Sequence, residues 1–140
     1  MSTILFDCVF NLLLDFLKPI ENEKAYRFKG LNFEKNLMSK AYADDLSFVS
    51  RNPTDNQHAI DRSQKWLTWS QTMRAKPKKC VWVGFKRNGS NYSAFNPNLT
   101  IKGEKFAFMF DPSKDETELS RDHFKFLGRW IPLNLKENKI

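Results

Sequence analysis

The run ILFDCVFNLLLDFL, residues 4–17, constrains the fold of this chain more than any other stretch. Eleven of its fourteen residues are apolar. Its polar residues, Asp7, Asn11 and Asp15, recur every four positions and draw one narrow polar stripe along a helix. Such a helix has to be covered by protein on most of its sides. It is too short to cross a bilayer, which takes about 20 apolar residues. It also lacks the basic flank and small-residue cleavage site of a secretory leader. Pro19 is expected to stop it. The chain is therefore expected to be intracellular, in cytoplasm or nucleus, neither secreted nor held in a membrane.

The partners for that helix have to come from the remaining blocks. Residues 20–36 read as a polar, mixed connection. LMSKAY and LSFVS are two short apolar runs around Ala43-Asp44, a β-hairpin pattern. NPTDNQHAIDRSQKWLTWSQTM reads as a second helix, with Ala59, Ile60, Trp66, Leu67 and Met73 on one face. Thr54 and Gln57 have the spacing of a capping box, and Asp55 is an alternative cap. CVWVGF reads as a strand and KRNGSNYSAFNPN as a polar loop. LTIKGEKFAFMF reads as a hairpin turning near Lys102-Gly103. DPSKDETELSRD is a charged loop or short helical turn, and FKFLGRWIPL a final strand or hairpin. Helix, hairpin, helix and several strands make an α+β pattern, in one domain over residues 1–140.

Composition limits the chemistry. The net charge is +7. That excess suits a polyanion, nucleic acid or an anionic surface, though a solvated basic surface explains it equally well. The two cysteines, Cys8 and Cys80, are too few for a disulfide framework or a four-thiolate zinc site. His58 and His123 are single and far apart, and read as solvated helix and turn residues. The sequons at Asn88, Asn91 and Asn98 fall in an Asn-rich loop and, in a chain expected not to be secreted, read as accidents of that composition.

The chemically unusual stretch is KAYADDLSFVS, residues 40–50, where Asp44 and Asp45 stand together inside an apolar, β-prone run. Burying two like charges costs several kcal/mol unless something compensates. At a hairpin tip such a pair can hold Mg²⁺, a hard cation that takes oxygen ligands, often one or two carboxylates plus substrate phosphates. The bland reading is a solvated acidic turn.

AYADDLSFVS resembles the catalytic hairpin of reverse transcriptases, the Tyr-x-Asp-Asp box of the palm. Further stretches follow in that family's order. HAIDRSQKWLTWSQTMRAKPKKC resembles the next palm helix and the Pro-Lys-Lys-Cys turn after it, and LTIKGEKFAFM the following hairpin. HFKFLGRWI resembles the Phe-x-Tyr-Leu-Gly box that closes the palm. STILFDCVFNLLLDFL resembles the helix after the substrate-loop motif, usually Leu-Ser-Pro-hydrophobic-Leu-Phe. The non-LTR retrotransposon branch is the nearest in pattern, and the resemblance covers nearly the whole chain.

The resemblance implies a partial reverse-transcriptase palm, a ferredoxin-like antiparallel sheet with helices on one face. It implies RNA-templated DNA synthesis by two-metal nucleotidyl transfer. Mg²⁺ would be the cofactor, deoxynucleotides the substrates, and an RNA template with a DNA primer the partners. Asp44 matches the metal-binding Asp and Asp45 its neighbour. Tyr42 matches the aromatic near the primer end and incoming nucleotide. Lys79 matches the lysine that protonates the pyrophosphate leaving group, with Lys76 and Lys78 as basic neighbours toward nucleic acid. Phe126, Leu127 and Gly128 match the element that grips the primer backbone, although ordinary core packing accounts for Phe124 and Phe126.

The family also has a metal-binding Asp on an earlier strand, fingers, and a Pro-Gln-Gly loop, all upstream of the helix that opens this chain. Lys76 replaces a common Asn and Phe126 a common Tyr. A palm opened in this way is expected to bind Mg²⁺ weakly, to polymerise little alone, and to self-associate through an open sheet edge. The rival expectations are a non-catalytic nucleic-acid-binding remnant and an inert product of a decayed element.

Overall fold

The N-terminal apolar run forms a helix, and that helix overruns its expected stop. In the computed structural model, which describes residues 3–71, 73–108, 123–126 and 129–132, helix α1 spans Thr3–Lys24 with Pro19 inside it. Proline cannot donate to the carbonyl four residues back, so an interior proline normally costs about 3 kcal/mol. Packing on either side of Pro19 offsets that cost. Leu17 is buried in one apolar cluster, and Ile20 packs on a second. Arg62 Nε donates to the Phe16 carbonyl at 2.9 Å, and its guanidinium lies 4.2 Å over the Phe16 ring.

The chain divides into two compact units, Met1–Lys76 with Leu99–Glu104, and Pro77–Asn98 with Lys105–Ile140. In the first unit α1 is followed by the hairpin β1 (Tyr26–Lys29) and β2 (Glu34–Leu37), where a polar connection was expected. The alternation Tyr26, Arg27, Phe28, Lys29 has the period of a strand, and Gly30 permits the turn. Next comes the expected hairpin, β3 (Ser39–Tyr42) and β4 (Asp45–Phe48), pairing antiparallel with Tyr42 opposite Asp45 and Ala41 opposite Leu46.

Helix α2 follows, over Pro53–Ser70. Its cap is not the expected Thr54 box or Asp55. Asn52 Oδ1 accepts from the Asp55 N–H at 2.8 Å, and Asn52 Nδ2 donates to Asp55 Oδ2 at 2.7 Å. Pro53 fixes φ in the first turn, which makes Asn52 the last residue free to be extended. Gln57, released from capping, holds strand β8 (Thr100–Ile101) instead. Its amide donates to the Thr100 carbonyl at 2.9 Å and accepts from the Thr100 N–H at 3.0 Å. Gln71 closes the helix in the left-handed region, with its N–H on the Leu67 carbonyl.

The core of this unit lies where one arc of α1 meets α2 and the second hairpin. Phe10, Leu13, Leu17 and Trp66 are buried together, with Phe6, Val9, Phe16, Leu46, Phe48, Leu67 and Met73 packed around them. Ala59 and Ile60 are buried as the helical pattern predicts. Lys24 at the end of α1 pairs with Asp55 in the first turn of α2 at 3.3 Å, each complementing its own helix dipole. Among the described residues the cover on α1 is one-sided, where nearly complete cover was expected. Ile4, Leu5 and Leu12 are exposed because the elements packed on α1 meet a single arc of it.

The second unit begins with a 3-10 turn, Pro77–Lys79, then β5 (Val81–Trp82) and β6 (Gly84–Asn88). The expected polar loop is in fact half of a hairpin. β7 (Asn91–Phe95) pairs antiparallel with β6 around Gly89, whose φ is +63°. The two turn residues are Gly89 and Ser90, and glycine at the first of two turn positions is a standard hairpin signal. The turn expected at Lys102-Gly103, which belongs to the first unit, is present between β8 and β9 (Glu104–Lys105), with φ of +51° and +82°. β10 (Ala107–Phe108) then pairs with β5 in parallel, and β11 (His123–Phe126) with β12 (Arg129–Pro132) in antiparallel. His123 therefore opens a strand, where a turn was expected. The class is α+β, and the described strands pair two by two. The expected charged loop, 111–122, lies outside the described residues.

The cap assignment predicts a contrast. Asn52→Ala should cost about 1 kcal/mol of stability, whereas Thr54→Ala, at an exposed position with no capping role, should cost close to nothing. Urea unfolding of the two variants checks it. Equal losses would put the cap elsewhere.

Candidate functional site

Two residues, Ala43 and Asp44, connect β3 to β4. A two-residue hairpin turn matches the twist of its strands only when a central residue takes positive φ, which glycine usually supplies. Here Ala43 takes it, at +49°. For a residue with a Cβ that costs roughly 1–2 kcal/mol. The strain is tolerated because the strands beneath are anchored. Met38 and Ser39 are buried at the base, the Val49 N–H donates to the Met38 carbonyl at 2.7 Å, and Leu46 and Phe48 pack on α1.

The register sorts the hairpin's residues. Cross-strand partners share a face, so Tyr42 and Asp45 lie together on the outer side, with Lys40 and Ser47 one pair behind them. The inner side carries Ala41, Leu46 and Phe48 toward α1. Asp44 occupies the turn. Asp44 and Asp45 are both exposed, and the Tyr42 ring is 66% exposed. The tip is thus a solvated acidic pair beside a free aromatic face.

A concave space of about 330 Å³ lies between α1 and the hairpin, lined by Asp7, Phe10, Asn11, Leu14, Ala41 and Ala43. The small side chains at 41 and 43 leave it open. Asp7, read in the sequence as part of the polar stripe of the helix, borders this space together with Ala43 of the strained turn. The four-residue spacing of Asp7 and Asn11 puts both on the α1 arc next to the buried one. No group of three or more His, Cys, Asp or Glu side chains that could hold a metal occurs among the described residues. The two tip carboxylates are the hard-oxygen donors the site offers. They suit a cation that keeps water and borrows phosphate oxygens for its remaining ligands.

The basic candidates stand apart from this tip in the chain. Lys76 is exposed and belongs to the first unit, as do Tyr42, Asp44 and Asp45. Lys78 and Lys79 are exposed on the 3-10 turn of the second unit, whose end is closed by the Cys80 N–H on the Pro77 carbonyl at 3.0 Å. Burial pushes the Cys80 thiol above its ordinary pKa, so it is a poor nucleophile. Cys8 is exposed on α1, His58 is exposed on α2, and no helix among the described residues is long and apolar enough to cross a membrane. Phe126 ends β11 opposite Arg129, while Leu127 and Gly128 lie outside the described residues. No family model matches the chain, and neither a curated protein nor a solved structure matches it.

The strain at the turn is directly measurable. Ala43→Gly should stabilise the chain by about 0.5–1 kcal/mol, the relief of positive φ less the extra freedom glycine gains in the unfolded state. Chemical denaturation reads it, and a loss of stability would mean that the turn is not strained.

Proposed function

We propose that this chain is part of a reverse-transcriptase palm of the non-LTR retrotransposon type, and that its β3–β4 hairpin is the metal-holding hairpin. The observation that carries the reading is the tip itself. A strained two-residue turn exposes Asp44 and Asp45 together, with Tyr42 across the strand pair from Asp45. The order of the other family-like stretches in the sequence supports the same reading.

In that function a bound Mg²⁺ would supply charge neutralisation at the transferring phosphate. Asp44, with Asp45 beside it, would hold the ion. The exposed Tyr42 ring would offer a flat surface to a base at the primer end. Lys79 would donate a proton to the departing pyrophosphate, and Lys76 and Lys78 would meet backbone phosphates. Phe126, Leu127 and Gly128 would contact the primer strand. Two carboxylates are fewer oxygen ligands than two-metal transfer requires. The chain 1–140 by itself is therefore a weak Mg²⁺ binder that does not sustain synthesis. Its net charge of +7 favours nucleic acid as partner. Self-association through the edges of the β3–β4 pair belongs to the same reading.

Metal binding is the direct test. Paramagnetic Mn²⁺ added in the millimolar range should broaden the backbone amide NMR signals of residues 43–45 first. Asp44→Asn with Asp45→Asn should remove that selectivity. Broadening centred elsewhere would sink the assignment. Primer extension on an RNA template should be negligible. Robust extension that Asp44→Ala abolishes would show the metal site to be complete in this chain.

The basic segment generates a separate expectation. Each phosphate contact releases counterions, so affinity for duplex falls steeply with salt. Replacing Lys76, Lys78 and Lys79 with Ala should reduce the slope of log K against log salt by about 2–3. An unchanged slope would remove these lysines from the interface.

A further inference from the structure

The hairpin β1–β2 holds a second surface that the acidic tip does not use. Tyr26, Phe28 and Phe33 are 42%, 53% and 57% exposed, and Leu31 at the loop is fully exposed. These rings are not part of the core. The hairpin is held at its base instead, where Ala25 and Met38 are buried and the Met38 N–H donates to Glu21 Oε1 at 3.4 Å. The exposed rings are ordered against each other. Phe28 and Phe33 stack with centroids 5.9 Å apart and planes within 24°. Gly30 makes this stack possible: a Cβ there would stand 2.2 Å from a Phe33 ring carbon.

Charge is interleaved with the rings. The register puts Lys35 opposite Phe28 on the same face, and Arg27 opposite Asn36 on the reverse face. Arg27, Lys29 and Lys35 are exposed, and Lys29 spends its charge on Glu34 at 3.7 Å. Tyr26 and Phe28 are two residues apart on one strand, roughly 6.8 Å, twice the step of a stacked strand, which suits successive bases of an extended strand that stack on rings and not on each other. A protein partner would be matched by the apolar area alone. Rings spaced for bases with cations beside them match bases joined by phosphates.

We propose that the β1–β2 hairpin is a stacking platform for single-stranded nucleic acid, with Tyr26 and Phe28, backed by Phe33, receiving successive bases and Lys35, on the same face, meeting the phosphates. Recognition is of base faces, so it is tolerant of sequence and indifferent to DNA or RNA. The site does not depend on the palm reading, since none of its residues belongs to the acidic tip or to the Lys76–Lys79 segment.

The test is fluorescence anisotropy of the full chain with labelled oligothymidylate and oligouridylate, and with a labelled duplex. Single strands should bind more tightly than the duplex. Phe28→Ala should weaken single-strand binding about tenfold, and Phe28→Leu, which keeps apolar area but not a flat ring, nearly as much. Gly30→Ala leaves every ring in the sequence but displaces Phe33, and should weaken binding several-fold. Adding EDTA should leave it unchanged, because no metal takes part, which separates failure of this site from failure of the metal site. Ultraviolet cross-linking should place the adduct on Tyr26 or Phe28. The proposal is overturned by full binding in both Phe28 variants, by adducts confined to other segments, or by a duplex preference. It is equally overturned if sedimentation shows the hairpin covered by a second copy, as a shift to monomer in Phe28→Leu.

Discussion

Everything in the first unit rests on one arc of α1. Phe10, Leu13 and Leu17 fall on the same side of the helix, and they meet Trp66 from α2 and the ring of Phe48 from β4. Burial of side chains this size is worth roughly 1.5–3 kcal/mol each, far more than any ion pair on this surface. That contact fixes where α2 lies. It also fixes which face of the second hairpin is inward, because a one-residue slip in β4 would expose Leu46 and Phe48 and bury Asp45 and Ser47. The orientation of the acidic tip is thus a consequence of apolar packing one to three residues further along β4.

The same contact explains why some elements were legible in the sequence and others were not. The helices announce themselves by period, and the β3–β4 hairpin by β-prone runs around a short break. The length of α1 was not legible. Pro19 argues locally for a stop, and only the burial of Leu17 and Ile20 on either side of it, with Arg62 reaching the Phe16 carbonyl, lets the helix continue. The cap of α2 was misread for a comparable reason. Thr54 and Gln57 have the right spacing, but Pro53 had already committed the first turn, and Gln57 had a tertiary partner in Thr100. The hairpins 26–37 and 84–95 were passed over because charged and polar residues dominate them. Their alternation and their glycines carried the signal.

For the candidate site, the residue types were readable and their arrangement was not. Asp44, Asp45 and Tyr42 stand out in the sequence. That Tyr42 pairs across from Asp45 follows only from the register. The positive φ of Ala43 had no sequence signal at all, since glycine or asparagine is the usual mark of such a turn. That Asp7 lines the same space as Ala43 had no sequence signal either, because it depends on which arc of α1 the hairpin covers.

The exposure of the tip also changes what the acidic pair means. Two carboxylates buried in a β-run would need a cation for the fold to be stable. At the surface, their repulsion at about 4 Å in water is only about 1 kcal/mol. The chain can therefore fold with the tip empty. What the structure does sustain at the tip is the cost of Ala43, and that cost is set against packing that would be just as good with a glycine at position 43. Glycine would also loosen the turn, so Asp44 and Asp45 would be held less firmly relative to each other and to Tyr42. A strained alanine restricts the backbone there, so Asp44 and Asp45 keep a narrower range of positions relative to Tyr42 than a glycine turn would allow.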